Sequence, residues 1–250
     1  MDNIEAKKYF ALVGRNISYS FSRKYFSEKF EKEHITNTEY INFDIASIEE
    51  LIPLVSQYQR LAGMNVTIPY KEEIIPFLSE LDETAQEIGA VNTIKILEGN
   101  KLKGYNTDYY GFSKSLEPYL QSHHNKALIL GTGGASKAVA YALKNLGIEY
   151  RFVSRNPQLG QLSYTALSAS IMEHYTLLIN TTPVGTYPNV ADCPSIPYEY
   201  ISEKHLLYDL IYNPEKTTFL KNGETRKATI ANGYPMLVLQ AEKAWEIWGE

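Results

Sequence analysis

The chain contains a single cysteine, Cys193, in 250 residues, so neither an internal disulfide nor a multi-thiolate metal site can form. That points to a reducing cytoplasm rather than an oxidising compartment. Basic residues are not in excess. With 24 Lys and Arg against 29 Asp and Glu, the formal charge is −5, the wrong sign for gripping nucleic acid by its phosphates. No apolar run approaches the ~18 residues of a membrane helix. The opening Met1-Asp2-Asn3-Ile4-Glu5-Ala6-Lys7-Lys8 lacks the apolar stretch of a secretory signal, so the Asn-x-Ser/Thr matches at Asn16, Asn65 and Asn180 are not expected to carry glycans. The histidines His34, His123, His124, His174 and His205 show no helical spacing suited to a metal, and no metal is expected. Hydrophobic residues at 44% and charged residues at 21% describe a globular protein with a sizeable core. Tyrosine is abundant: 20 residues, against 9 Phe and 2 Trp.

Strands alternate with helices almost throughout, which predicts an α/β fold with largely parallel sheets. Apolar runs predict strands at residues 9–13, 40–43 and 63–68, and a hairpin over 90–97 and 101–105. Ser22 is placed to cap a helix carrying Tyr25, Phe26 and Phe30, a second helix is expected over 48–59, and Pro69 is placed to open a third. A long helix is expected from Asp108 to Leu120. Beyond it lie strands at 127–130, 149–154, 176–180, 205–212 and 227–230, with helices at 135–146 and 234–248. The strand-turn-helix units crowd together after residue 107. We therefore expect two domains, residues 1–106 plus 233–250 and residues 107–232, with the last helix returning to the first domain.

Leu128-Ile129-Leu130 runs into Gly131-Thr132-Gly133-Gly134-Ala135 and then a helix. A glycine at the first position permits the tight turn, one at Gly133 lets the backbone approach a pyrophosphate, and the small Ala135 and Ala138 let helix and strand pack closely. The helix N-terminus then offers free N–H groups to the anion. A strand before and a helix after make this a dinucleotide-binding turn. NAD-specific folds usually end the following strand on an acid. Here it ends on Ser154-Arg155-Asn156, where Arg155 suits a 2′-phosphate and its neighbours add hydrogen bonds. NADP is favoured over NAD.

The first half places polar residues where strands meet loops. Ser20 and Ser22 follow the first strand, Asn65, Thr67 and Lys71 follow another, and Asn92 and Asp108 stand at later junctions. Taken singly, Ser22 and Asp108 could be plain N-caps and Asn92 a turn residue. Lys71 is different. In the first turn of a helix opened by Pro69, a cation is disfavoured where Glu72 and Glu73 are favoured. A carboxylate such as Asp108 would hold the ammonium there. A Lys–Asp pair can donate a proton to a ketone oxygen as hydride reaches the carbon.

Together these segments resemble the shikimate dehydrogenase family over nearly the whole chain. The matching stretches are the paired serines Ser20 and Ser22, Asn65 to Lys71 for N-V-T-x-P-x-K, Gly89 to Thr93 for G-A-V-N-T, and Asn106 to Gly111 for N-T-D-x-x-G. In the second half they are Gly131–Ala135, Ser154-Arg155-Asn156, Asn180 to Gly185, Tyr208 to Pro214, and Asn232 to Gln240. The resemblance implies a substrate domain followed by a Rossmann-type NADP-binding domain, and reversible NADPH-dependent reduction of 3-dehydroshikimate to shikimate. It implies that Lys71 and Asp108 are catalytic and that Ser20, Ser22, Asn65, Thr67, Asn92, Tyr212 and Gln240 bind substrate. It assigns Gly131, Thr132, Gly133, Gly134, Ala135, Ser154, Arg155, Asn156, Thr181, Thr182, Pro183, Val184 and Gly233 to the cofactor. The alternatives are a quinate/shikimate dehydrogenase or a non-catalytic NADP-binding regulator. Monomer and homodimer remain open. The chain departs from the family pattern at Tyr19, where histidine is usual, and at Arg23, where proline is usual. It also departs at Gln158-Leu159-Gly160, where an arginine often completes the phosphate clamp. Lys137 is a candidate helper there.

Overall fold

The computed structural model describes residues 7–18 and 20–249. Tyr19 and the opening residues read above for a signal lie outside that range. The chain divides into two compact bodies, Met1–Thr107 with Ala241–Glu250, and Asp108–Gln240.

The first body contains β1 (Lys8–Gly14), α1 (Phe21–Lys32), β2 (Thr38–Asp44), α2 (Leu51–Gln57), β3 (Leu61–Val66), β4 (Glu80–Leu81), α3 (Glu83–Ile88), β5 (Thr93–Ile96) and β6 (Leu102–Tyr105). Its sheet runs β2-β1-β3-β5-β6-β4. It is mixed rather than largely parallel: β3, β5 and β6 pair antiparallel, as the expected hairpin requires, while β1 pairs parallel with both neighbours. Alternation along β1 feeds two cores. Ala11 and Val13 join Met64, Val66 and Ile94 on one face. Phe10 and Leu12 join Phe26, Phe30 and Tyr40 on the other.

Three local expectations are corrected. Ser20, not Ser22, caps α1, its side chain accepting from the Arg23 N–H. The helix expected over 48–59 begins as a single 3₁₀ turn, with Glu50 reaching back to the backbone N–H of Ser47, and ends at Gln57. Pro69 opens no helix. The stretch from Ile68 to Ile74 is a run of turns. The Lys71 carbonyl, which a helix would have used internally, accepts instead from Val91 N–H, and the Tyr70 hydroxyl donates to the Ile45 carbonyl at 2.8 Å. The helix-dipole argument for Lys71 therefore does not apply.

The second body contains α4 (Asp108–Leu116), β7 (Lys126–Leu130), α5 (Gly134–Asn145), β8 (Glu149–Ser154), β9 (Leu162–Ser163), α6 (Ala169–His174), β10 (Leu177–Asn180), β11 (Leu206–Asp209), α7 (Thr218–Thr225), β12 (Thr229–Ala231) and the start of α8 (Tyr234–Gly249). Its sheet, β12-β11-β10-β7-β8-β9, is parallel throughout. Strands buried on both faces read as continuous apolar runs, and Leu128-Ile129-Leu130 and Leu177-Leu178-Ile179 are fully buried. The strand order reverses between β7 and β10, the topological switch point of a doubly wound sheet. From Ala241 onward α8 belongs to the first body. There Trp248 stacks on Phe10 at 4.7 Å and donates its indole N–H to the Ile94 carbonyl. Among the described residues, no helix is long and apolar enough to cross a membrane.

Candidate active site

In the first body, three segments far apart in sequence meet at one end of the sheet. Val66 N–H donates to Asn92 O, Val91 N–H to Lys71 O, and Asn92 N–H to Tyr105 O. These backbone bonds bring Asn65, Thr67 and Lys71 beside Asn92 and Thr93, and both beside Asn106 and Thr107. The side chains then complete a buried network. Asn65 Nδ2 donates to Thr93 Oγ1 at 3.2 Å and to Asn92 O at 3.3 Å. Asn92 Oδ1 accepts from Thr107 N–H at 2.6 Å, and Asn92 Nδ2 donates to Thr107 Oγ1 at 3.0 Å. Asn106 Nδ2 donates to the Ala90 carbonyl. Asn65, Asn92, Thr93, Asn106 and Thr107 are all buried, so each needs the partners it finds. Lys71 and Thr67 are half-buried at the edge of this network. Ser20 is committed to the helix cap, and Ser22 lies in the first turn of α1. Tyr70 is wholly buried. It is a pillar under the Lys71 segment, accepting from Arg15 Nε at 3.2 Å.

In the second body the site forms at the switch point. Gly131 has φ +109°, and a Cβ there would meet Thr181 Oγ1 at 2.8 Å and Thr182 Cγ2 at 2.9 Å, so only glycine fits. Gly133 faces open space. It is the N-cap of α5 and provides no side chain of its own, which leaves the helix N-terminus available to an anion. Thr132 is exposed, Gly134 and Ala135 half-exposed. Across the crevice, Thr181 N–H and Oγ1 both bond the Leu130 carbonyl, placing Thr181, Thr182, Pro183 and Val184 opposite the glycine turn. Arg155 is exposed immediately after β8, with Asn156 N–H bonded to Ser154 Oγ. Among the positions the pyrophosphate of a dinucleotide would touch, no bulky side chain intrudes, and the residues present fit such a group.

Behind this crevice lies a device that sequence reasoning left unassigned. Asp209, at the end of β11, is wholly buried. It accepts from Asn180 Nδ2 at 3.0 Å, Ile211 N–H at 3.1 Å and Thr217 Oγ1 at 2.6 Å. Asn180 Oδ1 in turn accepts from the N–H and hydroxyl of Thr182. Burial, only partly offset by these donors, pushes the Asp209 carboxyl up to about 6. An acid ending a strand was the available signal.

Asp108 is the first residue of α4 and is buried. Gln240, also buried, donates to the Leu237 carbonyl of its own helix. A Cβ on Gly111 would lie 2.6 Å from Met236 O and 3.0 Å from Gln240 Cβ. Glycine there is what lets α4 approach α8 closely enough to seat Gln240. Gly233 is set by close packing on the Leu210 backbone. Tyr212 is half-buried beyond β11, and burial pushes its phenol up.

A profile for the shikimate dehydrogenase substrate-binding domain matches residues 12–94. The shikimate dehydrogenase (NADP(+)) of Clostridium botulinum is 37% identical over 247 aligned residues, covering 95% of each chain. The chain belongs to the shikimate dehydrogenase family. Solved family members superpose on it closely. The Aquifex aeolicus shikimate dehydrogenase has a TM-score of 0.86 at 33% identity, covering 99% of this chain and 94% of its own. The Thermus thermophilus shikimate 5-dehydrogenase in complex with NADP(H) and shikimate has a TM-score of 0.82 at 30% identity, covering 96% and 93%. The family fold is an N-terminal substrate-binding domain and a Rossmann-type domain.

Proposed function

We propose that this protein reversibly reduces 3-dehydroshikimate to shikimate with NADPH, in the cytoplasm, as a monomer or homodimer. The observation that carries the reading is the convergence of Asn65–Lys71, Ala90–Thr93 and Tyr105–Thr107 into one polar surface, in a chain whose relatives bear that enzyme's name. The substrate domain is residues 1–106 plus 233–250 and the NADP domain residues 107–232.

NADPH, when bound, supplies the hydride. Lys71 gives a proton to the ketone oxygen, and Asp108 orients its ammonium. Ser20 and Ser22 hold the carboxylate. Asn65, Thr67, Asn92, Asp108, Tyr212 and Gln240 bind the ring and its hydroxyls, which fixes the attack geometry. Backbone groups from Gly131 to Ala135 hold the pyrophosphate, and Ser154, Arg155 and Asn156, with Lys137 as helper, hold the 2′-phosphate. Thr181, Thr182, Pro183, Val184 and Gly233 flank the nicotinamide. A planar guanidinium reads a phosphate by two parallel hydrogen bonds. Arg155→Ala should therefore raise KM for NADPH while leaving NADH little changed. Equal losses with both would contradict the role.

Initial rates with shikimate and quinate, each against NADP+ and NAD+, test the whole reading. Shikimate with NADP+ should be turned over fastest. Faster turnover of quinate would instead make the protein a quinate/shikimate dehydrogenase, and cofactor binding without turnover of either would make it a regulator.

A further inference from the structure

Asn180 ends β10 at the switch point and is wholly buried. Its carboxamide joins the sheet to the loop that follows. Nδ2 donates to Asp209 Oδ1 at 3.0 Å, on the neighbouring strand β11. Oδ1 accepts from both the N–H and the hydroxyl of Thr182, at 3.1 and 2.6 Å. The Thr182 hydroxyl oxygen then accepts from Val184 N–H at 3.3 Å. Asp209 is itself held by Ile211 N–H and Thr217 Oγ1, so the loop is tied to a fixed point of the sheet. Thr182 in turn packs on the glycine turn. A Cβ on Gly131 would lie 2.9 Å from Thr182 Cγ2, which leaves no slack between the two walls of the crevice. Loop backbone has no ladder to order it, and a buried carboxamide bonded to a nearby N–H and hydroxyl does that here.

We propose that Asn180 is a positioning residue for the dinucleotide, holding Thr182 against the Gly131 turn so that the crevice keeps the shape the cofactor fits. The inference rests on the reading of Gly131–Ala135 and Thr181–Val184 as cofactor-binding groups. Being wholly buried, Asn180 meets no ligand itself. Without its carboxamide, the Thr182 N–H and hydroxyl turn to water and Thr182 leaves the glycine turn.

Asn180→Ala is the test, read first on the protein free of cofactor. The Thr182 backbone amide should exchange with solvent at least tenfold faster. An unchanged rate overturns the hold. Kd for NADPH, from its fluorescence on titration, should rise about tenfold, with KM for shikimate at saturating NADP+ staying within about threefold. A faster amide with unchanged Kd overturns the link to the cofactor. Thr182→Val is the milder variant should Asn180→Ala fold poorly. It keeps the side chain's shape and loses only the hydroxyl, and Kd should rise about threefold; no rise overturns the proposal. Thr217→Val controls for stability alone. It removes another donor to Asp209 but leaves Asn180 intact, so its thermal midpoint should fall while Kd for NADPH stays within about threefold. A loss of affinity equal to that of Asn180→Ala would reduce Asn180 to a packing residue. A wild-type protein that binds no NADPH would overturn the reading of the crevice, whereas the Thr182 amide reports on the hold in either case.

Discussion

The two bodies organise their buried polar groups in opposite ways. In the first, Tyr40, Asn65, Asn92, Thr93 and Thr107 satisfy one another with amides and hydroxyls that carry no formal charge, and the cation Lys71 stands at the edge of the network. In the second, a carboxylate, Asp209, occupies the centre and draws Asn180, Thr217 and the Ile211 N–H around it. A neutral network keeps its shape across pH and leaves the chemistry to a group outside it. A charged centre binds its donors more firmly but must be desolvated, and it responds to protons.

Substitution at the two charges should separate these designs. Lys71→Ala removes the proposed proton donor. It should lower kcat by roughly 10²–10⁴, the range of a lost general acid. An unaltered kcat would refute the assignment. Asp209→Ala should show in stability. It leaves three buried donors without their acceptor, at about 1–3 kcal/mol each, and should destabilise the protein by about 3–5 kcal/mol in denaturant titrations. A loss below about 1 kcal/mol would mean the carboxylate is not the organising group.

The pH response sharpens the contrast. The folded-state value of about 6 lies above the ordinary 3.8, so the folded protein holds the Asp209 proton more tightly than the unfolded chain. The stability contributed by that proton is complete below the ordinary value and is lost as pH rises through about 6. Measured against Asp209→Asn, the wild type should gain roughly 2–3 kcal/mol between about pH 7.5 and about pH 4. Burial pushes the imidazoles of His124 and His205 down, and each opposes this trend by losing stability as pH falls. Both are present in the two proteins, so they cancel. Parallel curves would refute the raised carboxyl. Asn92→Ala, in the neutral network, should cost about 1–3 kcal/mol, with a penalty that does not vary over the same pH range.

Much of this was legible in the residues. Continuous apolar runs marked the buried parallel strands, and the glycine turn between strand and helix marked the switch-point crevice. What escaped the sequence depended on partners far along the chain. Pro69 is a reasonable first residue for a helix. Its neighbourhood is a run of turns because Val91 takes the Lys71 carbonyl and Tyr70 reaches Ile45. Ser20 and Ser22 are equally able to cap a helix, and the path by which the chain enters α1 chooses between them. Of the 20 tyrosines, Tyr40 could not be singled out, because its hydroxyl finds its acceptor only when the fold brings Asn65 to it.

The helix α8 has a consequence for biosynthesis. Residues 108–240 form the second body without interruption, whereas the first body needs residues 241–249, including Trp245 and Trp248, to fill its aromatic core. Translation at ~5–20 residues per second therefore separates the appearance of Thr107 from that of Trp248 by on the order of ten seconds. During that interval the nascent N-terminal sheet is present without its covering helix, and Phe10, Phe26 and Phe30 are open to other apolar surfaces. The half of the protein made first is the half completed last.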